Sequence, residues 1–225
     1  MRGAGEIVAR SMQVAIDSIE PGVRENDAVA NITHEQLTGT PEFWGDYPAT
    51  LAAVASGEKS AAPHLTWSGQ PFSKNVASNI ELGGCHQRYH AALARTLYLG
   101  TPPAKLERLA NVTAEGLEAT LDVIRAGITA EQVEATWRAV IRTAGYEKKS
   151  RIGYSIGLNY PPDWGEQTAS LREGDLTVLE PNMCFHIMLG MWMDDWGFEL
   201  SETIAVTEHG YELLTVFPRE LFVKP

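Results

Sequence analysis

Two consecutive helical segments lie between two strand-rich regions, and this order constrains the fold more than any other feature of the chain. Residues 101–127 and 129–145 carry the helical pattern, and a third helical spacing of apolar residues covers residues 3–18. Residues 78–98 alternate as strands do, and short strands with Gly/Pro turns follow from residue 152 onward. Because strands and helices are grouped instead of alternating one by one, the sequence predicts an α+β fold.

The two central helices are bounded by residues that favour helix ends. Thr101 can cap the first helix, Pro102 suits its first turn, and Gly127 ends it. Thr129 caps the second helix, and Gly145 stops it. We therefore expect two separate helices with these boundaries.

Size and charge limit the class of protein. The chain has 225 residues, 44% of them hydrophobic, which is enough for one large domain spanning residues 1–225. Its net charge of −11 disfavours nucleic acids and anionic membranes as partners, because both are negatively charged. The longest nearly apolar run, MCFHIMLGMWM, is too short to span a bilayer. Cys85 and Cys184 lack paired spacing, which favours reduced thiols in a cytoplasmic protein.

One carboxylate interrupts a strand pattern at NIELGG. Alternation places Ile80 and Leu82 on one face of the strand and Glu81 on the other. His64 lies 17 residues upstream, in the segment APHLTW. The pattern leaves open whether Glu81 is a surface glutamate or a functional one, and whether His64 is a structural hydrogen-bonding residue or a catalyst.

Three later segments also carry polar residues in patterns that suggest a site. IGYSIGLNYPPDWGE, residues 152–166, is typical of either a shaped loop with a rigid wall or a folded surface turn. In PNMCFHIMLGMW, a strand would place His186 either in the core or in the wall of a cavity. In GFELSETIAVTEHG, alternation puts Glu199 and Ser201 on the same face.

Taken in order, these segments resemble the superfamily of methionine aminopeptidases, prolidases and creatinase. The resemblance covers about residues 3–217 and implies the pita-bread fold, a curved antiparallel sheet flanked by helices. Metal-dependent members carry five metal ligands, and the matching positions here hold other residues: Glu81, Ala92, Tyr154, Met188 and Ser201. Because alanine and methionine offer no hard oxygen or imidazole donor, the resemblance implies a site without metal or other cofactor, as in creatinase.

Within that superfamily, the segments look closest to the ectoine hydrolases. This implies a small-molecule substrate, the osmolyte ectoine, whose cyclic amidine is opened to N-acetyl-L-2,4-diaminobutyrate. It also implies a homodimer. Ectoine hydrolases have an additional N-terminal domain, and this chain begins at what resembles the first helix of their catalytic domain, so we expect the N-terminal creatinase-like domain to be absent here.

The same resemblance suggests roles for individual residues. Glu81 adds its carboxylate to the amidine carbon, and His64, which matches the superfamily's catalytic histidine, moves protons. His186 and Glu199 are further catalytic candidates, for protonation of a ring nitrogen and activation of water. Four aromatic residues are candidates for cation–π contact with the amidinium: Tyr154, Trp164, Trp192 and Trp196.

Two other interpretations remain open. The first is a creatinase-like hydrolase of another small guanidine or amidine solute, which shares every argument above. The second is a non-catalytic binding domain that kept the fold after losing its metals. The presence of both His64 and Glu81 argues against the second. A metallopeptidase is the least favoured, because most of the required donors are missing.

Overall fold

The computed structural model describes all of residues 1–225 and contains four α-helices, one short 3-10 helix and eleven strands. The helices are α1 (Arg2–Ser18), α2 (Glu25–Thr38), α3 (Ala104–Val123) and α4 (Ala130–Thr143), and the 3-10 helix covers Gly57–Ala61. The strands are β1 (Ala53–Ser56), β2 (Val76–His86), β3 (Tyr89–Leu99), β4 (Gly153–Ile156), β5 (Gly165–Leu171), β6 (Cys184–Met188), β7 (Met191–Trp192), β8 (Gly197–Phe198), β9 (Ser201–Val206), β10 (Tyr211–Leu213) and β11 (Phe222–Lys224).

The helix boundaries agree with the sequence in part. Thr129 caps α4 as predicted, in a reciprocal capping box with Gln132. The prediction that Thr101 caps α3 was wrong, since α3 begins after Pro103. A residue that precedes a proline is disfavoured in the helical region, so Pro102 cannot start a helix before Pro103. Helix α2 was not predicted, because it buries only one narrow strip of apolar residues.

The curved antiparallel sheet predicted from the family resemblance is built from two hydrogen-bonded sheets. The first has the order β1-β2-β3-β11, and the second has the order β10-β9-β6-β4-β5. Every pair is antiparallel except β11 with β3. Strands β7 and β8 form a separate two-stranded ribbon. Helices α1 and α2 share a hydrophobic core with the first sheet, and α3 and α4 share another with the second.

Side-chain hydroxyls join the two sheets where β3 passes β9. The Thr203 hydroxyl accepts the Ala92 N–H at 2.9 Å and donates to the Ala92 carbonyl at 2.7 Å. The Ser201 hydroxyl accepts the Ala94 N–H at 2.6 Å. The seam between the sheets is therefore polar, and polar side chains can be buried there with partners.

Two remaining expectations concern cysteines and membranes. Cys85 is buried and Cys184 is partly exposed, and no disulfide joins them. The reduced state and the cytoplasmic location stay predictions. None of the four helices is both long enough and apolar enough to cross a membrane.

Candidate active site

Glu81 is a buried carboxylate with an unpartnered oxygen. It lies on β2 opposite Ala94 of β3, and its side chain is 1% exposed. Oε1 has no hydrogen-bond partner, and Oε2 lies 3.4 Å from Nε2 of His64. Desolvation, with the negative charge of Asp163, raises the pKa of Glu81 well above its ordinary value of 4.5. Because buried polar atoms are nearly always paired, the free oxygen points to a ligand that completes the site.

His64 connects this carboxylate with solvent. It lies in the loop before β2, in the left-handed backbone region with φ of 58°, which histidine adopts more readily than most residues. Its side chain is 68% exposed, whereas Glu81 beside it is buried. An imidazole in this place can carry a proton between a buried carboxylate and water.

Glu199 is the second buried carboxylate of the site. It lies between β8 and β9 and is 3% exposed. Its Oε1 accepts a hydrogen bond from Nε1 of Trp192 at 3.1 Å. Its backbone N–H donates to the Thr96 hydroxyl at 2.8 Å, and that hydroxyl donates to Oδ1 of Asn79 at 2.9 Å. Glu199 is thus tied to the same hairpin, β2–β3, that carries Glu81.

The two carboxylates influence each other. Desolvation and the charge of Glu81 raise the pKa of Glu199, against the opposing effect of the Trp192 hydrogen bond. Two carboxylates buried close together cannot both ionise cheaply, so one of them retains a proton near neutral pH. The charge of Glu81 raises the pKa of Glu199, so Glu199 is the carboxyl group that keeps the proton. The pair therefore offers one anion and one acid to a ligand.

His186 is enclosed in a hydrogen-bonded chain below the site. Its Nδ1 lies 2.9 Å from the Tyr154 hydroxyl, and its Nε2 lies 2.8 Å from the Ser201 hydroxyl. The Tyr154 oxygen also accepts Nε1–H of Trp164 at 2.8 Å. Desolvation lowers the pKa of His186 to about 3, so the ring is neutral.

One assignment of the protons in this chain is consistent with its fixed donors. Ser201 already accepts the Ala94 N–H, so its own proton is available to Nε2 of His186. The Nδ1–H of His186 then donates to Tyr154, whose hydroxyl proton is left for the site. His186 therefore positions Tyr154 here, and a direct catalytic role for His186 stays a prediction.

The predicted aromatic residues fall into two groups. Trp192 donates a hydrogen bond to Glu199, and Tyr154, which accepts one from Trp164, lies near enough to Glu81 for that charge to raise its pKa. Trp196 does not join them, because its indole lies under the Lys105 ammonium, 4.6 Å from the ring centroid, and lines a separate cavity of about 210 Å³. Its role as a substrate contact stays a prediction.

Some residues of the site carried no recognisable signal in the sequence. Thr96, whose hydroxyl accepts the Glu199 N–H, was not singled out in the sequence. Asp163 lies near enough to Glu81 for its charge to raise the pKa of that residue, and the Lys148 ammonium lies 4.3 Å from the Trp192 ring centroid. Neither position is set by local periodicity, since both depend on how loops fold back across the sheets.

Residues 1–208 match the sequence profile of metallopeptidase family M24. The chain belongs to this family. Over its full length it is 45% identical to a Sinorhizobium fredii protein described as an uncharacterized hydrolase/peptidase, and 43% identical to ectoine hydrolase of Halomonas elongata. The chain spans 57% and 58% of the lengths of these two relatives.

Solved structures support the same assignment to M24. The X-Pro aminopeptidase of Thermotoga maritima superimposes with a TM-score of 0.86 at 25% identity, over 99% of this chain and 62% of its own length. The prolidase of Pyrococcus horikoshii gives 0.87 at 27% identity, over 98% of this chain and 62% of its own. The predicted pita-bread fold is therefore confirmed.

The side chains of this M24 member do not fit the metals that the family name implies. Ala92 is fully buried against the rings of Tyr154 and Trp164. Met188 is buried on β6. The Ser201 hydroxyl is already hydrogen-bonded to His186 and to the Ala94 N–H. No group of three or more His, Cys, Asp or Glu side chains in residues 1–225 is arranged to hold a metal ion. Divalent cations of this kind need several hard donors, and the five matching positions supply one carboxylate.

Proposed function

We propose that this M24 domain hydrolyses ectoine, opening its cyclic amidine to N-acetyl-L-2,4-diaminobutyrate without a metal. The observation that carries the proposal is Glu81, a buried carboxylate with one unpartnered oxygen. It is the only carboxylate among the five positions that match the family's metal ligands. The 43% identity to an ectoine hydrolase supports the choice of substrate.

The charges of the site suit the cationic amidinium of ectoine. The amidinium can neutralise the ionised carboxylate of Glu81 and donate a charge-assisted hydrogen bond to its free oxygen. Trp192 beside Glu199 and Tyr154 near Glu81 already carry the cations of Lys148 and Arg151 on one ring face, so the amidinium would use the opposite faces, where a cation–π contact contributes about 1 kcal/mol. A buried pair of carboxylates without a cationic ligand is costly, so the substrate's charge contributes to its own binding.

The first step is attack by Glu81. A carboxylate oxygen bonds to the amidine carbon, and the electrons of the C=N bond move onto nitrogen. One C–N bond of the tetrahedral carbon then breaks with its electron pair on the ring nitrogen. That nitrogen takes the proton held by Glu199 and leaves as an amine, so Glu199 is the acid of this step.

The second step releases the product. Water gives a proton to the carboxylate of Glu199, with His64 exchanging protons with solvent, and its oxygen bonds to the former amidine carbon. The C–O bond to Glu81 breaks and restores the carboxylate, and the remaining hydroxyl proton passes to the released amine, leaving an acetamide and an ammonium group. Overall, the oxygen of water becomes the amide oxygen, and its two hydrogens end on the amine.

The direct test is incubation of the protein with ectoine, with the products identified by mass spectrometry. We expect an increase of one water in mass and a product that matches N-acetyl-diaminobutyrate. Creatine and other guanidine or amidine solutes are offered in parallel. If one of these solutes is turned over in preference to ectoine, that solute is the substrate. If neither ectoine nor any of them is turned over, a non-catalytic binding domain is favoured.

Metal content provides a second test. Because Ala92 and Met188 remove donors that a metal pair needs, we expect protein purified without chelator to contain no stoichiometric manganese, iron, cobalt or zinc. Elemental analysis measures this, and ectoine turnover should be unchanged after treatment with a chelator. One or two equivalents of metal, with activity lost on stripping, would contradict a metal-free mechanism.

The raised pKa values of the carboxylates predict the pH dependence of kcat/KM. Activity should fall at low pH as Glu81 becomes protonated, and at high pH as Glu199 loses its proton, with both limbs displaced upward from the ordinary carboxyl value of 4.5. In Glu199→Gln the alkaline limb should disappear. The acid limb should stay in place, because Glu199 is already protonated, and therefore uncharged, in the pH range where Glu81 titrates. An alkaline limb that persists in Glu199→Gln would show that another group supplies the proton.

Several accompanying expectations stay predictions: a homodimer, a cytoplasmic location and the absence of nucleic-acid partners. Size-exclusion chromatography with light scattering tests the first.

A further inference from the structure

We propose that Lys148 is a positioning residue of the site, which holds the indole of Trp192 and through it the carboxylate of Glu199. The kinetic part of this inference rests on the proposed ectoine hydrolysis. The structural part concerns only the free protein. Lys148 lies in the segment between α4 and β4, outside every motif that the sequence suggested.

The three side chains form a stack. The Lys148 ammonium lies 4.3 Å from the centroid of the Trp192 ring, and the indole N–H on the edge of that ring donates to Glu199 at 3.1 Å. The charge of Glu199 favours the ammonium form of Lys148, whereas desolvation lowers the pKa of Lys148 to about 8. Below that pH the Lys148 cation therefore contacts the Trp192 ring, and the ring in turn contacts the Glu199 carboxyl group.

Gly190 fixes both ends of the contact between Lys148 and Trp192. Its carbonyl accepts a hydrogen bond from Nζ of Lys148 at 2.5 Å. A Cβ at this glycine would lie 2.4 Å from the indole ring, so Trp192 occupies space that only glycine leaves free. Gly190 thus binds the ammonium through its carbonyl and packs against the ring, which leaves Trp192 little freedom to rotate.

The stack has a consequence for Glu199. Trp192 donates to the only oxygen of that carboxyl group for which the structure shows a side-chain partner. A cation on the ring face also attracts the π electrons, which makes the indole N–H a better donor. If the ring turns, Glu199 loses this donor and its orientation toward Glu81. A displacement of about 1 Å in such a group costs on the order of 100-fold in rate.

The test compares three variants of the full chain. Lys148→Met keeps the length of the side chain and removes its charge, and we expect kcat for ectoine to fall about 10- to 100-fold with a smaller change in KM. Lys148→Arg retains a cation for the ring and should keep kcat within about threefold. Lys149→Met is the matched control, because Lys149 lines the same outer cavity as Lys148 and has no hydrogen bond or ion pair.

A measurement on the free protein separates this inference from the proposed function. The fluorescence of Trp192 is obtained as the difference between each protein and its Trp192→Phe counterpart. We expect its emission maximum to shift in Lys148→Met but not in Lys149→Met, with recovery in Lys148→Arg. If wild-type protein does not hydrolyse ectoine but this pattern appears, the proposed substrate fails and the positioning contact stands. An unchanged Trp192 signal in Lys148→Met, or equal kinetic loss in Lys149→Met, would overturn the inference.

Discussion

Glu81→Gln should lower the turnover of ectoine by a factor of about 1,000 or more while the protein stays folded. The substitution keeps the shape of a side chain that is 1% exposed and removes only the charge and the nucleophilic oxygen. A loss of this size corresponds to about 4 kcal/mol of transition-state stabilisation. Steady-state kinetics measures turnover, and circular dichroism and thermal unfolding measure the fold.

A covalent intermediate makes the prediction for Glu81 more specific. Wild-type protein quenched during turnover should carry added mass on the peptide that contains Glu81, and Glu81→Gln should not. Glu115→Gln on the exposed face of α3 is a control for loss of one carboxylate and should leave turnover unchanged. Near-normal turnover in a folded Glu81→Gln protein would show that another group attacks the amidine.

Substitution of His64 should cost about 100- to 10,000-fold in turnover, as expected for a group that moves protons. His64→Ala removes the imidazole beside Oε2 of Glu81. His64→Asn also removes it but tolerates the left-handed backbone at this position, so it separates loss of the ring from strain in the loop. We expect both variants to lose activity to a similar extent.

Two controls complete the experiment on His64. His209→Ala lies on the exposed turn between β9 and β10 and should have no effect, which excludes a general consequence of removing a histidine. Added imidazole should restore part of the activity of His64→Ala, because the missing ring is 68% exposed in the native protein. Full activity in His64→Asn would leave Glu81 and Glu199 to exchange protons with water unaided.

Local patterns in the sequence determined the elements that carry the site. Strand alternation turned Glu81 away from Ile80 and Leu82, and a threonine followed by an apolar helical pattern located the start of α4. These signals are readable because periodicity and capping depend on neighbouring residues. The replacement of metal donors at Ala92 and Met188 is likewise a property of residue type and spacing, so it was visible before the structure.

Only the tertiary structure decided that Glu81 is buried between the two sheets. Alternation alone left Glu81 open to be a surface residue, because one strand does not say what covers its second face. The second sheet covers it, and Glu199 of the β8–β9 segment comes close enough for the charge of Glu81 to raise the pKa of Glu199. Lys148 and Trp192 meet for the same reason, since a contact between residues 44 positions apart depends on how the chain folds back and not on local spacing.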